Sequence, residues 1–125
     1  MTTEGQGGKT ILVVEDDSAT REALALILTA EGFVVVVAAN GQEALGQLRA
    51  APHPDLILLD LMMPIMDGWQ FRREQAQDPS LSAIPVVVLS ADGNVQQKAV
   101  SLHVAGYLQK PVDVESLLDI IQRQL

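Results

Sequence analysis

The sequence predicts an α/β fold, a doubly wound parallel sheet of five strands with five helices on its two faces. Apolar runs alternate with amphipathic helix patterns five times from Thr10 onward, the succession that builds a parallel sheet through right-handed crossovers. Runs such as Ile11-Leu12-Val13-Val14 and Leu56-Ile57-Leu58-Leu59 have little polar alternation, as expected of strands covered on both faces. With 125 residues, 48% of them apolar, the chain is long enough for one hydrophobic core and too short for two.

Taken in order, residues 1 to 9 are Gly-rich and polar and read as a flexible tail with too little apolar surface to order itself. The first strand is Ile11 to Val14. A helix follows with Ala23, Leu24, Ile27 and Leu28 on one face, capped by Ser18 and closing at Glu31-Gly32, where glycine takes a left-handed conformation readily. Val34 to Ala38 is the second strand. Asn40 with Glu43 three residues on has the spacing of a capping box and opens a helix burying Ala44, Leu45 and Leu48.

The third strand is Leu56 to Leu59, and Asp67-Gly68 reads as a turn and helix start. The helix from Gly68 to about Gln77 is poor in apolar residues, with Trp69, Phe71 and Ala76 against Arg72, Arg73, Glu74, Gln75 and Gln77, so few packing contacts are expected of it. Val86 to Leu89 is the fourth strand, Val95 to about His103 the fourth helix, and Gly106 to Leu108 the fifth strand. The last helix, capped by Asp113, places Val114, Leu117, Leu118, Ile121 and Leu125 at helical spacing.

Several functions are disfavoured by composition. Sixteen acids against eight bases give a net charge of -8, which repels phosphate backbones and anionic lipid, so neither nucleic acid nor membrane is expected as a partner. The absence of cysteine removes disulfides and thiol chemistry. No apolar run approaches membrane-spanning length, and the first residues do not form a signal peptide. A cytoplasmic protein is expected.

The chemistry is carried where the strands stop. In doubly wound sheets ligands bind beyond the carboxyl ends of the strands, near the point where strand order reverses. Glu15 and Asp16 follow the first strand, Asp60 the third, Ser90 the fourth and Lys110 the fifth. A carboxylate at the end of a buried strand is costly unless its charge is used, and two or three held together repel until a cation offsets them. Mg²⁺ suits such a set, since it needs only one to three carboxylates and keeps other positions for water or phosphate. Lys110 adds a point charge and Ser90 a hydroxyl donor for phosphoryl oxygens. The set reads as a phosphoryl-transfer site with an aspartate nucleophile.

Four segments carry a family resemblance: Ile11-Leu12-Val13-Val14-Glu15-Asp16-Asp17, Asp60-Leu61-Met62-Met63-Pro64-Ile65-Met66-Asp67-Gly68, Val87-Val88-Leu89-Ser90-Ala91 and Tyr107-Leu108-Gln109-Lys110-Pro111. In this order and spacing the chain resembles the receiver domain of two-component response regulators from Thr10 to Leu125. The resemblance implies a flavodoxin-like sheet of order 2-1-3-4-5, with residues 10–125 as the receiver domain. It implies that Asp60 accepts a phosphoryl group from a histidine of a sensor kinase or phosphotransfer protein. Mg²⁺ would be held by Asp16, Asp60 and the backbone carbonyl of Met62, with Glu15 acting directly or through water. Lys110 would pair with the phosphoryl group, its bond to Pro111 cis, which aims the side chain. Ser90 and Tyr107 would form a switch, the hydroxyl drawn toward phosphorylated Asp60 and the ring turning inward. The surface of the fourth helix, fifth strand and fifth helix would then change for an unknown downstream protein. Such a module is not an enzyme toward other molecules and catalyses only its own phosphorylation and dephosphorylation.

Blander readings stand beside these. Asp17 serves the helix dipole, Ser90 could be a plain strand-end hydroxyl, and Tyr107 could be core. His53 and His103, far apart and without a carboxylate pattern, read as surface residues. The chain departs from the family at Arg72 and Gln75, where leucines are usual, which predicts a polar face marking a partner surface or a loosely packed helix, and at Leu102-His103-Val104-Ala105-Gly106, which lacks the usual Gly-Ala. Met62 and Asp92, two places after Asp60 and Ser90, resemble positions that tune acyl-phosphate lifetime.

A stand-alone receiver is expected from Met1 and from the lack of an effector after Leu125, and a receiver segment of a longer regulator or hybrid kinase is the alternative. A Mg²⁺-dependent aspartyl phosphatase would typically carry a second aspartate where Met62 stands. A flavodoxin-like cofactor binder would want a phosphate loop where Glu15-Asp16-Asp17 would repel it.

Overall fold

A computed structural model describes residues 8–50, 52–61, 66–91 and 94–125, the side chain of Val95 excepted. Its elements in chain order are β1 (Thr10–Val14), α1 (Ser18–Ala30), β2 (Val34–Ala38), α2 (Gly41–Arg49), β3 (Leu56–Asp60), α3 (Gly68–Gln77), β4 (Val86–Ser90), α4 (Val95–Leu102), β5 (Gly106–Gln109) and α5 (Val114–Gln124). All strands are parallel, in the order β2-β1-β3-β4-β5. Most of the expected tail, residues 1–7, lies outside the described residues.

Alternation along the central strands builds two cores. Leu12 and Val14 of β1, Ile57 and Leu59 of β3, and Val86 and Val88 of β4 pack with Ala44, Leu45 and Leu48 of α2 and Phe71 of α3. Ile11, Val13, Leu56, Leu58, Val87 and Leu89 project to the other face, against Leu24 and Leu28 of α1 and Leu117 and Ile121 of α5. Each such leucine is fully buried or nearly so and contributes roughly 1.5–3 kcal/mol relative to exposure. Ile120 of α5 packs over Gly106, where a Cβ would stand 2.7 Å from Ile120 Cδ1 and require that side chain to shift. Among the described residues, no helix is long and apolar enough to cross a membrane.

β2 departs from the expectation of strands covered on both faces. It lies at the edge, with Val34 51% and Val37 40% exposed. Lateral position in a sheet is decided by long-range pairing, and a run of valines carries no signal of it.

The helix starts follow the expected chemistry with one correction. Asp17, not Ser18, caps α1: its Oδ2 accepts from the Thr20 N–H at 2.8 Å and the Thr20 hydroxyl at 2.6 Å. Ser18 is already the first helical residue, so the side chain before it is the one that reaches the free N–H groups. At α2, Asn40 Oδ1 accepts from Glu43 N–H at 2.9 Å while Glu43 Oε1 accepts from Ala39 N–H at 3.1 Å, a capping box whose return bond lands one residue before the cap. Asp67 caps α3 and Asp113 caps α5. α1 ends at Glu31 with Gly32 at φ 97°, and α4 ends at His103 with φ 55°, the left-handed turn that lets terminal carbonyls find donors.

α3 is neither loosely packed nor a polar face at its departures from the family. Gln75 is fully buried and donates to the carbonyls of Leu81 at 2.9 Å and Ile84 at 3.1 Å. Half-buried Arg72 donates through Nη1 to Gln75 Oε1 at 2.9 Å, through Nε to the Leu102 carbonyl at 3.0 Å and through Nη2 to the His103 carbonyl at 3.0 Å. A planar guanidinium fork fits these consecutive carbonyls at the end of α4, which have no helical partner. Burial lowers the Arg72 pKa from its ordinary value. Two side chains that read as surface are therefore internal struts between α3, the entry to β4 and the end of α4.

Candidate functional site

The strand order reverses between β1 and β3, so the carboxyl ends of these neighbours open one crevice. Glu15 continues the β1 ladder by donating its N–H to Ala38 O at 3.0 Å, which turns its side chain inward to 1% exposure. Asp16, next along, is exposed. Arg21, one turn into α1, clamps this bend by donating Nη1 to Glu15 O at 2.9 Å and to Asp16 O at 3.4 Å. Asp60 and Ser90 are the last residues of β3 and β4, one place further into the sheet than the expected strand ends, and both are buried.

Lys110 follows β5, its N–H donating to Ser90 O at 2.8 Å, and the Lys110-Pro111 peptide bond is cis. The ammonium reaches back across the crevice to Glu15 Oε1 at 2.5 Å and Asp60 Oδ2 at 3.6 Å. Burial pulls the Lys110 pKa down, but the hydrogen bond it donates to Glu15 and the negative charges of Asp60 and Glu15 more than offset this, and the lysine titrates above its usual range. Carboxylate oxygens of Glu15, Asp16 and Asp60 all lie within 4.8 Å of one another. An all-oxygen, anionic donor set of that size fits a hard divalent ion such as Mg²⁺. Asp17 points away as the α1 cap, and the Thr20 hydroxyl and amide hold its pKa below the ordinary carboxylate value.

Four of the residues singled out in the sequence, Asp60, Glu15, Asp16 and Lys110, thus meet directly, and Ser90 borders them. Tyr107 stands on β5, 38% exposed. It pairs in register with Val88, as Gln109 does with Ser90, so Tyr107 and Ser90 project from the same face of the sheet. His53 and His103 are exposed. Met62, Met63, Pro64, Ile65 and Asp92 lie outside the described residues.

Two site features escaped the sequence reading. Arg21 as a clamp had a signal, a base one turn into the helix that follows the acidic run. Glu15 as the close partner of Lys110 had none, since 95 residues separate them. Beside Lys110 a cleft of about 380 Å³ runs between Ala19, Thr20 and Ala23 of α1 and Pro111-Val112, giving the site an open flank.

Comparison with known proteins agrees with this geometry. The profile of the response regulator receiver domain matches residues 11–122. The chain is 39% identical over 110 residues to the response regulator MprA of Mycolicibacterium vanbaalenii, covering 86% of this chain and 46% of that protein. It spans about half the length of the curated relatives it matches. Among solved structures, the chemotaxis response regulator CheY4 of Vibrio cholerae superposes with a TM-score of 0.85 at 29% identity, covering 94% of this chain and 98% of that one. A signal receiver domain of a histidine kinase from Syntrophus aciditrophicus gives 0.85 at 32% identity, covering 94% and 90%. A sheet of this order, an acidic crevice closed by a lysine and a family profile over nearly the whole length agree, and the chain belongs to the receiver domains of the response regulators.

Proposed function

We propose that the chain is the phosphoacceptor of a two-component relay, with Asp60 as the nucleophile. One observation carries the reading: a buried Asp60 whose carboxylate lies within 4.8 Å of two others and 3.6 Å from the Lys110 ammonium. A carboxylate oxygen of Asp60 forms the new O–P bond as the N–P bond of a phosphohistidine breaks, and the departing imidazole keeps the electron pair. The donor is a sensor histidine kinase or a histidine phosphotransfer protein. Lys110 swings the short distance from Glu15 to offset charge on the phosphoryl oxygens.

Asp16 and Asp60 would hold Mg²⁺, with the backbone carbonyl of Met62 as a further ligand by family resemblance and Glu15 directly or through water. When bound, the ion neutralises the clustered carboxylates and the incoming phosphoryl oxygens. The Ser90 hydroxyl then donates to the acyl phosphate and Tyr107 turns inward, altering the α4-β5-α5 surface. That surface carries Val100 at 69%, Tyr107 at 38% and Val114 at 44% exposure, apolar area suited to a downstream protein. A phosphoryl group selects a minor conformation by its differential contacts and by nothing more. The domain acts on its own aspartate and turns over no other substrate.

Incubation with acetyl phosphate and Mg²⁺ followed by intact mass should show a labile gain of one phosphoryl group, lost in Asp60→Asn and in EDTA. Sustained turnover of a phosphomonoester would instead identify an aspartyl phosphatase.

A further inference from the structure

Met66, between β3 and α3, is braced from the side by α2. Buried Gly41, the first residue of α2, donates its N–H to the Met66 carbonyl at 3.1 Å. The approach requires the absence of a side chain: a Cβ at residue 41 would stand 2.7 Å from Met66 O and 2.8 Å from Met66 Cγ. A flexible side chain can yield, but a carbonyl moves only with its backbone. Two residues on, Gly68 N–H donates to Leu61 O at 3.1 Å, and Leu61 N–H reaches Leu89 O at 3.4 Å. α2 is itself fixed, by the Asn40 cap and by Ala44, Leu45 and Leu48 in the core.

We infer that Gly41 is a positioning residue for phosphoryl acceptance: through its contact with Met66, and from there through the Gly68–Leu61 bond, α2 sets where Leu61 and the neighbouring Asp60 stand relative to Glu15 and Asp16. This rests on the phosphoacceptor reading of Asp60. Any side chain at residue 41 pushes Met66 away and shifts the Gly68–Leu61 bond behind it, weakening divalent-cation binding and slowing phosphoryl acceptance together. The coupling is reciprocal, so cation binding at the cluster tightens the first turn of α2.

The test compares Gly41→Ala with Gly46→Ala in the full chain, because a Cβ at Gly46 on the same helix meets nothing within 4 Å. Mg²⁺ affinity is measured by calorimetry, phosphoryl gain from acetyl phosphate by intact mass, and folding by circular dichroism. Gly41→Ala is expected to keep its helical signal while losing about tenfold or more in both affinity and rate, as small misplacements of reacting groups do; Gly46→Ala matches the wild type. A Gly41→Ala protein that melts earlier but binds Mg²⁺ and takes phosphoryl normally would overturn the inference. If Gly41→Ala does not fold, amide exchange in the wild type decides: Mg²⁺ should slow exchange at the Gly41 N–H, and an unchanged rate rejects the coupling. Failure of the wild type to accept phosphoryl would instead reject the reading of Asp60.

Discussion

Lys110 stands nearer to Glu15 than to Asp60, its ammonium 2.5 Å from the one carboxylate and 3.6 Å from the other. Glu15 is 1% exposed, so its carboxylate needs a close partner in place of water. Lys110→Ala should therefore lower the unfolding free energy in EDTA by about 1–3 kcal/mol, less than for a fully buried pair because the Lys110 side chain keeps 22% exposure. Mg²⁺ offers Glu15 a replacement cation and should stabilise the variant more than the wild type. Urea unfolding with and without Mg²⁺ measures both effects, and a variant as stable as the wild type in EDTA would show that Glu15 does not rely on Lys110.

Asp60 carries a cost in the absence of a metal ion, because three carboxylates lie within 4.8 Å of one another, with Glu15 and Asp60 beside the Lys110 ammonium. Asp60→Asn should raise metal-free stability by about 1 kcal/mol, the scale of one like-charge contact relieved near solvent, while abolishing phosphoryl gain. Denaturation in EDTA tests the first part. A lower stability would mean that the contact of Asp60 with Lys110 outweighs the repulsion.

The struts of α3 give a separate prediction away from the site. Gln75→Leu removes the donors to Leu81 O and Ile84 O and the acceptor for Arg72, and should cost about 1–3 kcal/mol for the polar groups left buried. Arg72→Lys retains the charge but not the fork that spans the Leu102 and His103 carbonyls. It should speed amide exchange at His103 and Val104, whose N–H groups bond to Val100 and Ala99 at the end of α4. Exchange equal to the wild type would remove Arg72 from any role in closing that helix.

These struts also show what was legible in the sequence. Asp60, Ser90 and Lys110 could be placed because a polar residue ending an apolar run has a position decided locally, and the sheet then gathers such ends at one edge of the layer. Arg72 and Gln75 could not, since their partners lie up to 31 residues away and polarity alone argues for the surface. The exposure of Val34 and Val37 was hidden for a related reason, because strand order along the sheet is absent from local pattern. The cap of α1 was displaced by a single residue, from Ser18 to Asp17, as both side chains can cap and only backbone geometry chooses between them.

Acid should weaken one surface turn in a defined direction. The Asp78 carboxylate accepts from the Ser80 hydroxyl at 2.7 Å and the Ser80 N–H at 3.0 Å, and these bonds hold its pKa below the ordinary 3.8. A group with a depressed folded pKa stabilises the fold above its unfolded value, and the contribution disappears as pH falls through the folded value. Asp78→Ala should thus be less stable than the wild type at neutral pH, with the gap closing in the acid range below 3.8. Thermal melts across that range would contradict this if the gap held constant or widened.

Tyr107 should report the state of Asp60. Its ring leaves β5 on the same face of the sheet as Ser90 leaves β4, one strand across and one pleat back, so a hydroxyl drawn toward Asp60 vacates space on the side the ring can enter. Phosphorylation must favour the inward ring by about 5.5 kcal/mol if the populations are to pass from one in a hundred to ninety-nine in a hundred. A beryllofluoride and Mg²⁺ complex, which imitates the acyl phosphate, should show Tyr107 well below its 38% exposure and Ser90 shifted toward Asp60. Ser90→Ala should bind beryllofluoride while leaving Tyr107 largely outside, because the hydroxyl that links the two sites is gone. A buried Tyr107 in the Ser90→Ala complex would separate the ring from the hydroxyl and leave the switch without its linkage.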